Sequence, residues 1–211
     1  MSLEIINKDD QKISVKLKGV PLQYANALRR ICLNGIPVFA IDTVDIIENS
    51  SVLPDEGLAH RLGLIPIKTD LDRFNEPSKC ECKSETGCSN CKVMFVLNSG
   101  DSDVTRTILS NDLTSEDESV KATSDKIPIV QLAAGQKIKI ECYARLGRGT
   151  EHAKWNSANV STLTETNKDD ERILTVESTG ALKPEQIILA GVDELGNRLE
   201  EFKEMVNQLA D

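Results

Sequence analysis

The stretch from Pro184 to Leu209 carries the pattern that most constrains the fold of this 211-residue chain. Apolar residues recur there at alternating spacings of 4 and 3, and together they form what we call the seam: Ile188, Val192, Leu195, Leu199, Phe202, Val206 and Leu209. This a/d repeat predicts one long helix with a single apolar stripe. At 1.5 Å per residue the helix is ~39 Å long, which exceeds the body of a small domain. We therefore expect the seam to pack on its own sheet, on a helix of another chain, or on the two in succession.

The rest of the chain mixes strands with two shorter helices. Strict alternation in "KISVKLKG" and "KIKIECYARLG" predicts half-buried strands, and "LEII", "VFAIDTVDIIE", "KVMFVLNS", "VTRTIL" and "RILTVEST" are further predicted strands. Helical spacing is present in "LQYANALRRICLNG" and in "DEGLAHRLGLIPI". The acidic run "SNDLTSEDESVKATSD" has no apolar period and is predicted to be a mobile loop. This order predicts an α+β fold rather than alternating βαβ units.

Charge and composition disfavour two classes of function. The net charge is −9 at pH 7, and tight contact with nucleic-acid phosphates needs a basic surface. No apolar run approaches the roughly 18 residues that indicate a membrane span. The start "MSLEIINKDDQ" is polar and acidic, unlike a secretory signal. We therefore expect a cytoplasmic protein in a reducing compartment, without tight nucleic-acid binding of its own.

Four of the six cysteines lie close together in "SKCECKSETGCSNCK": Cys80, Cys82, Cys88 and Cys91. In a reducing compartment such a cluster favours metal over disulfides, and four thiolates are the ligand set of a structural zinc ion. Four sulfurs leave no open position for water or substrate. An iron–sulfur cluster is the less favoured alternative, and reduced free cysteines are a third. The isolated Cys32 and Cys142 are predicted to be small core residues.

Groups that would support catalysis are scarce. His60 and His152 are far apart, and there is no nucleophile–base pattern, no Walker motif and no acidic metal triplet. The basic loop "RLGRGTEHAKWN" contains Lys154 and the only tryptophan, Trp155. It predicts either an interface or an ordinary solvated loop with Trp155 in the core. A free-standing zinc-binding enzyme or interaction module is the alternative function.

Four stretches resemble one family closely and in order along nearly the whole chain. They are "YANALRRICLNGIPVFAID", "NSSVLPDEGLAHRLGLIPI", "GRGTEHAKWNSAN" and "VESTGALKPEQIIL". They resemble the D-subunit family of archaeal RNA polymerases, which also includes the third-largest subunit of eukaryotic RNA polymerase II and, more distantly, bacterial alpha. The resemblance implies a component of a DNA-directed RNA polymerase whose active-site magnesium belongs to the largest subunit, so catalytic residues are expected to be absent here.

The resemblance also implies a domain organisation. An alpha-like dimerisation module, a sheet with two packed helices, comprises residues 1–48 and 158–211. A mostly β inserted domain comprises residues 49–157 and carries the cysteine loop 80–91.

Partners follow from the same resemblance. The module pairs with the small subunit L, and the pair recruits the second-largest subunit, with the small zinc-binding subunits N and P attached. The resemblance implies that Arg29 and Arg30 of the "NALRR" helix dock on the second-largest subunit. The seam, Lys154 and Trp155 are the further residues expected to contact partners.

Two departures from the family pattern bear on the metal and the source. Many archaeal members of the family carry a ferredoxin-like insert with iron–sulfur cysteines, whereas only Cys142 follows Cys91 here. The four clustered cysteines instead resemble the zinc loop of the eukaryotic subunit. The eukaryotic C-terminal extension is not seen, which favours an archaeal source.

Overall fold

The computed structural model describes residues 1–84, 87–168 and 170–209. The elements, in chain order, are β1 (Ser2–Lys8), β2 (Lys12–Lys18), α1 (Leu22–Asn34), β3 (Val38–Asn49), α2 (Asp55–Gly63), β4 (Lys92–Asn98), β5 (Arg106–Leu109), β6 (Leu113–Ser115), β7 (Pro128–Leu132), β8 (Ile138–Gly147), β9 (Ala158–Glu165), β10 (Glu171–Ser178) and α3 (Pro184–Gln208). The mixture of antiparallel sheets and helices confirms the predicted α+β class.

The chain divides into two compact units. The terminal unit consists of residues 1–37 and 148–211, and the insert unit of residues 38–147. The insert unit thus begins and ends about ten residues earlier than the predicted inserted domain, residues 49–157. The physical reason is that β3 pairs antiparallel with β8 along its whole length, from Val38 opposite Gly147 to Asn49 opposite Ile138, so the entire hairpin-like pair belongs to one unit.

The terminal unit is an antiparallel sheet with the strand order β1-β2-β10-β9. The alternation predicted for β2 is confirmed, since Ile13, Val15 and Leu17 are buried while the lysines between and beside them are more exposed. Helix α1 packs on β9 and β10, and α3 packs on β10, β2 and α1. The two helices therefore cover the central and β9 side of one sheet face.

A glycine permits close contact between α1 and α3. A Cβ atom at Gly191 would lie 3.1 Å from Cys32 Sγ and 3.1 Å from Leu28 Cδ1. The Cys32 thiol lies 3.8 Å from the Ile187 carbonyl oxygen, and burial raises its pKa to about 12. Glycine costs an exposed helix about 1 kcal/mol relative to alanine, and here the close packing of two helices offsets that cost. The prediction that Cys32 is a core residue is confirmed.

The insert unit has a four-stranded sheet of order β3-β8-β4-β6 and a separate β5–β7 pair. Helix α2 packs on β3 and β7. Its buried face, Leu58 and Leu62, joins the inward residues of the strands in one core that includes Phe39 and Phe95. Alternate residues of β8 are buried as predicted, Cys142 among them.

The structure of the acidic run at residues 110–125 differs from what the sequence predicts. The sequence predicts a mobile loop, yet the segment contains strand β6, paired with β4. Val120 and Ala122 are buried in the core of the insert unit, and Ala122 forms a bridge with Ile67. The segment also forms an ion pair, in which Arg73 Nη2 lies 2.5 Å from Asp117 Oδ2. The segment is held by a few isolated apolar residues, which carry no periodic signal.

Candidate functional site: an exposed helix and a four-cysteine centre

Helix α3 has two halves with different surroundings. Its buried residues, Pro184, Ile187 and Gly191, all lie in the first half. Every residue from Gly196 to Leu209 is exposed. The second half therefore extends beyond the core of its own unit.

The predicted seam is not the face that α3 packs on its own unit. The packed face follows Ile187, Gly191 and Glu194, each one residue before a member of the seam. Adjacent residues of a helix point about 100° apart, so the seam is turned away from that contact. Most of its members are exposed, including Leu199 at 55% and Phe202 at 62%. Ile188 and Leu195 alone in the seam are partly buried.

Strand β1 leaves a second apolar surface uncovered, which the sequence reasoning missed. Leu3 pairs with Leu17 and Ile5 with Val15. Directly opposed residues of antiparallel strands point to the same face, so Leu3 and Ile5 lie on the face that the helices cover elsewhere. They are nevertheless 71% and 61% exposed. The available signal is the apolar "LEII", which by itself indicates no more than a hairpin partner.

An ion pair places β1 beside α3. Lys8 Nζ, at the end of β1, lies 3.1 Å from Glu185 Oε1 in the first turn of α3. The exposed side chains of β1 and of the seam thus belong to neighbouring elements of the terminal unit. Large exposed apolar surfaces of this kind mark sites of association with another molecule.

The structure separates the two arginines that the sequence treats alike. Arg29 Nε donates to Asn26 Oδ1 at 3.0 Å, and its Nη1 donates to the Ser161 carbonyl at 3.3 Å. The Ser161 hydroxyl in turn donates to the Arg29 carbonyl at 2.8 Å. Arg29 therefore ties α1 to β9. Arg30 is exposed, and within the described ranges its side chain has no hydrogen bond or ion pair.

The basic loop before β9 is built around a buried ring. Trp155 is 3% exposed, so of the two interpretations of this loop its burial favours a core position for the ring. The ring is large and apolar, and the terminal unit has few other aromatic side chains with which to fill its core. Lys154 Nζ lies 4.2 Å from the centre of the ring. The Lys154 backbone N–H also donates to His152 Nδ1 at 3.0 Å, so the loop is held by its own residues.

The four clustered cysteines converge in the insert unit. Their Sγ atoms all lie within 4.8 Å of one another. Cys80 and Cys88 are 3.7 Å apart, and Cys82 and Cys91 are 3.9 Å apart. Thiolates on one tetrahedral zinc ion lie ~3.8 Å apart, because each Zn–S bond is about 2.3 Å long. The donor set therefore fits a single tetrahedral ion.

Tight turns bring these sulfurs together. The Cys91 backbone N–H donates to the Cys88 carbonyl at 2.9 Å, and the Cys88 N–H donates to Cys91 Sγ at 3.2 Å. Gly87 has a φ of +80°, a left-handed conformation that favours glycine. A Cβ atom there would also lie 3.1 Å from Lys92 Cβ. Residues 85 and 86 of the loop lie outside the described residues.

The cysteines differ in exposure and acidity. Cys80 and Cys91 are buried, whereas Cys82 is exposed. The Ser84 backbone N–H, followed by the Cys80 thiol, lowers the pKa of Cys82 to about 7, and burial raises the pKa of Cys91 to about 12. A metal binds thiolates, so its binding must displace the proton that burial keeps on Cys91. We therefore expect metal affinity at this centre to fall as the pH is lowered.

The described residues contain one candidate metal site and no candidate membrane span. Within residues 1–84, 87–168 and 170–209, the only His, Cys, Asp or Glu side chains clustered closely enough to hold a metal ion are the four cysteines. Across the same ranges, the helices do not combine the length and apolar character that crossing a membrane requires.

Comparison with known proteins gives concordant matches. A family model described as RNA polymerase Rpb3/RpoA insert domain matches residues 36–182. Proteins named DNA-directed RNA polymerase subunit Rpo3 are similar to the chain, and three of them illustrate the range. The Methanosphaera stadtmanae protein is 45% identical over 74% of this chain and 58% of its own length. The Archaeoglobus fulgidus protein is 43% identical over 75% and 58%. The Methanosarcina mazei protein is 33% identical over 86% and 73%. The chain thus spans less than two thirds of the length of the first two relatives.

Proposed function

Because the chain belongs to the RNA polymerase Rpb3/RpoA family, we propose that it is a non-catalytic assembly subunit of a DNA-dependent RNA polymerase. Its relatives carry the name of such a subunit, Rpo3. The observation that supports an assembly role most directly is the second half of α3, whose apolar seam is exposed in the isolated chain. By its resemblance to the archaeal D-subunit family, the work of the protein is to bring other subunits together.

The small subunit L is the proposed partner of the seam. Burying one leucine or phenylalanine side chain contributes about 1.5–3 kcal/mol, and Leu199, Phe202 and Val206 offer three such side chains in succession. Glu200, Glu201 and Glu204 lie between them. Two copies of the chain would bring these carboxylates together, so a heterodimer is favoured over a homodimer. Leu3 and Ile5 of β1 extend the same proposed interface.

Co-purification with the small subunit tests this proposal. Leu199→Asp places a charge in the seam and is expected to abolish the complex. Asn197→Asp is the matched control, because Asn197 is exposed on the opposite side of the helix and gains the same charge. The proposal fails if the Leu199→Asp variant binds the small subunit with the same affinity as the Asn197→Asp variant, for then the seam is not the contact surface.

Arg30 is the proposed contact with the second-largest subunit. Its side chain is exposed, whereas Arg29 is bonded to β9 within its own unit. Arg30→Ala should weaken recruitment of the second-largest subunit to the preformed pair and leave the stability of the chain unchanged. Arg29→Ala should lower stability by about 1 kcal/mol through its lost hydrogen bonds. Equal recruitment by the wild type and the Arg30→Ala variant would show that this contact is made elsewhere. The small subunits N and P then complete the platform.

The four-cysteine centre is proposed to bind one structural zinc ion. Cys80, Cys82, Cys88 and Cys91 would hold it, and its chemistry there is to fix the loop, since four sulfurs complete the tetrahedron. A polynuclear iron–sulfur cluster binds its cysteines through different irons, so sulfurs on different irons lie farther apart than the 4.8 Å within which all four sulfurs are found here. Elemental analysis of protein purified without chelator should give one zinc per chain. Iron with visible charge-transfer absorbance would overturn the assignment.

A free-standing zinc-binding enzyme is the weaker candidate. It would need an open coordination position or a catalytic group beside the metal, and the convergence of four sulfurs provides no open position. The net charge of −9 also disfavours tight binding of duplex DNA by the chain alone. A filter-binding assay at physiological salt should therefore show no nanomolar affinity, and we propose that the protein acts in the cytoplasm as part of the assembled polymerase.

A further inference from the structure

A partly buried ion pair lies at the root of the exposed half of α3. Arg148 Nη1 lies 2.6 Å from Glu194 Oε1, and the two side chains are only 16% and 15% exposed. Glu194 is the last residue of the packed face of α3, and full exposure begins at Gly196. Among the described residues, the pair is therefore the polar contact that attaches the helix to its own unit nearest to the exposed half.

The arginine of this pair is itself held firmly. Its Nη1 also donates to the carbonyl oxygen of Gly35, the residue that follows α1. The Arg148 backbone N–H donates to Glu151 Oε1 at 3.0 Å, and the Glu151 N–H donates back to the Arg148 carbonyl at 2.8 Å. One guanidinium thus connects the end of α1, the loop before β9 and the root of the exposed helix.

The neighbouring glycine shows how closely this loop approaches α1. A Cβ atom at Gly149 would lie 2.7 Å from Asn34 Cβ and 2.9 Å from Asn34 Cα. Real Cβ atoms do not approach other atoms so closely, so the position accepts only glycine without movement of the backbone. The loop that carries Arg148 is therefore seated against the end of α1.

Beyond the ion pair the helix has little to hold its direction. A Cβ atom at Gly196 would have no atom within 4 Å apart from the adjacent backbone of its own helix, and glycine weakens a helix by about 1 kcal/mol relative to alanine. From Glu194 to Leu209 the helix extends about 22 Å at 1.5 Å per residue, so a change of about 10° at its root moves its end by about 4 Å. Such a shift exceeds the tolerance of a packed seam.

We propose that Arg148 and Glu194 form a positioning pair that sets the direction in which the second half of α3 leaves the terminal unit. Its effect on assembly rests on the proposed function, because the small partner subunit would be bound by the half of the helix that the pair directs. The effect of the pair on the direction of the helix is a property of the isolated chain. The direction of the helix and the affinity for the small subunit can therefore be measured separately.

The direction of the helix can be measured by electron–electron spin resonance on the full chain. Nitroxides attached to p-acetylphenylalanine at positions 12 and 203, both exposed sites of the terminal unit, leave the cysteines unmodified. Arg148→Met should broaden or shift the distance distribution, and Arg148→Lys should restore part of the wild-type distribution. Arg198→Met is the matched control, because Arg198 Nε contacts the same Glu194 carboxylate at 2.7 Å from within the helix. It should leave the distribution unchanged.

A second variant keeps the test decisive if the Arg148→Met variant does not fold. Glu194→Gln keeps the shape of the side chain and removes its charge, and it should broaden the distribution as Arg148→Met does. If Arg148→Met fails to fold, the result for Glu194→Gln decides. A distribution identical to wild type in whichever of these variants folds would overturn the proposal.

Measuring the affinity for the small subunit distinguishes the effect of the pair on the direction of the helix from its effect on assembly. We expect Arg148→Met to weaken the complex about tenfold, or 1.4 kcal/mol, with the metal content of the insert unit unchanged. A broadened distribution with unchanged affinity would support the positioning pair while contradicting the seam as the binding surface. An unchanged distribution with weakened affinity would overturn the positioning role.

Discussion

The two halves of α3 share one sequence repeat but differ in what surrounds them. In the first half, Ile187 and Gly191 pack on α1 and the sheet, although neither belongs to the repeat. In the second half, the repeat continues with Leu199 and Phe202, which are exposed. A heptad repeat therefore identifies a helix and an apolar stripe, whereas α3 packs on its own unit through a neighbouring face that contains Gly191 and the paired carboxylate of Glu194.

A charge placed in each half gives the largest expected contrast. Ile187→Asp buries an unpaired carboxylate at a fully buried position and should lower the free energy of unfolding by at least about 3 kcal/mol. Leu199→Asp, in the exposed half, should change it by less than about 0.5 kcal/mol. Urea unfolding followed by the fluorescence of Trp155, the only tryptophan, reports on the terminal unit. Similar losses in the two variants would show that the second half also packs on its own chain.

The glycine between α1 and α3 provides an intermediate contrast. Gly191→Val would force side-chain atoms against Cys32 Sγ and Leu28 Cδ1, and overpacking of this kind costs about 1–3 kcal/mol. The same urea titration measures the loss. An unchanged or raised stability would mean that α1 and α3 separate easily, and the first half would then resemble the second more than the structure indicates.

The smallest contrast concerns Gly196, where a side chain meets open space. Gly196→Ala should raise the helix content and stabilise the helix by about 1 kcal/mol, because alanine loses less conformational freedom than glycine. Circular dichroism at 222 nm and thermal unfolding measure the change. A destabilised Gly196→Ala variant would indicate that the helix requires flexibility or close approach at this point.

Many strands and helices of the fold can be predicted because their apolar residues recur at regular spacings. The alternation in β2 and β8 reports burial on one face, whereas the repeat in α3 reports a helix with one apolar stripe, and the structure confirms the two strands and the helix. Strand β9, "ANVSTLTE", is not among the predicted strands, since one of its two buried residues is polar: Ser161, whose hydroxyl donates to the Arg29 carbonyl. A hydrogen bond between elements distant in sequence leaves no local periodic signal.

The candidate sites are predictable to different degrees. The cysteine spacing indicates one compact ligand set, and the four sulfurs do converge. For Arg29 and Arg30, sequence gives two adjacent cations, and only the contact with Ser161 distinguishes them. The sequence alone indicates only that Gly191 lowers the stability of the helix. Its role in close packing cannot be predicted, because the Cys32 thiol that approaches it lies in α1, more than 150 residues earlier.

The pairing of β3 with β8 has a consequence for how this chain can change in evolution or by engineering. Val38 and Gly147, the first and last residues of the insert unit, lie opposite each other in the antiparallel register. The polypeptide therefore enters and leaves that unit at adjacent points, which is the arrangement that makes domain insertion tolerable. We therefore expect the insert unit to tolerate enlargement, reduction or exchange, and a short linker between Pro37 and Arg148 to be sufficient to reconnect the terminal unit.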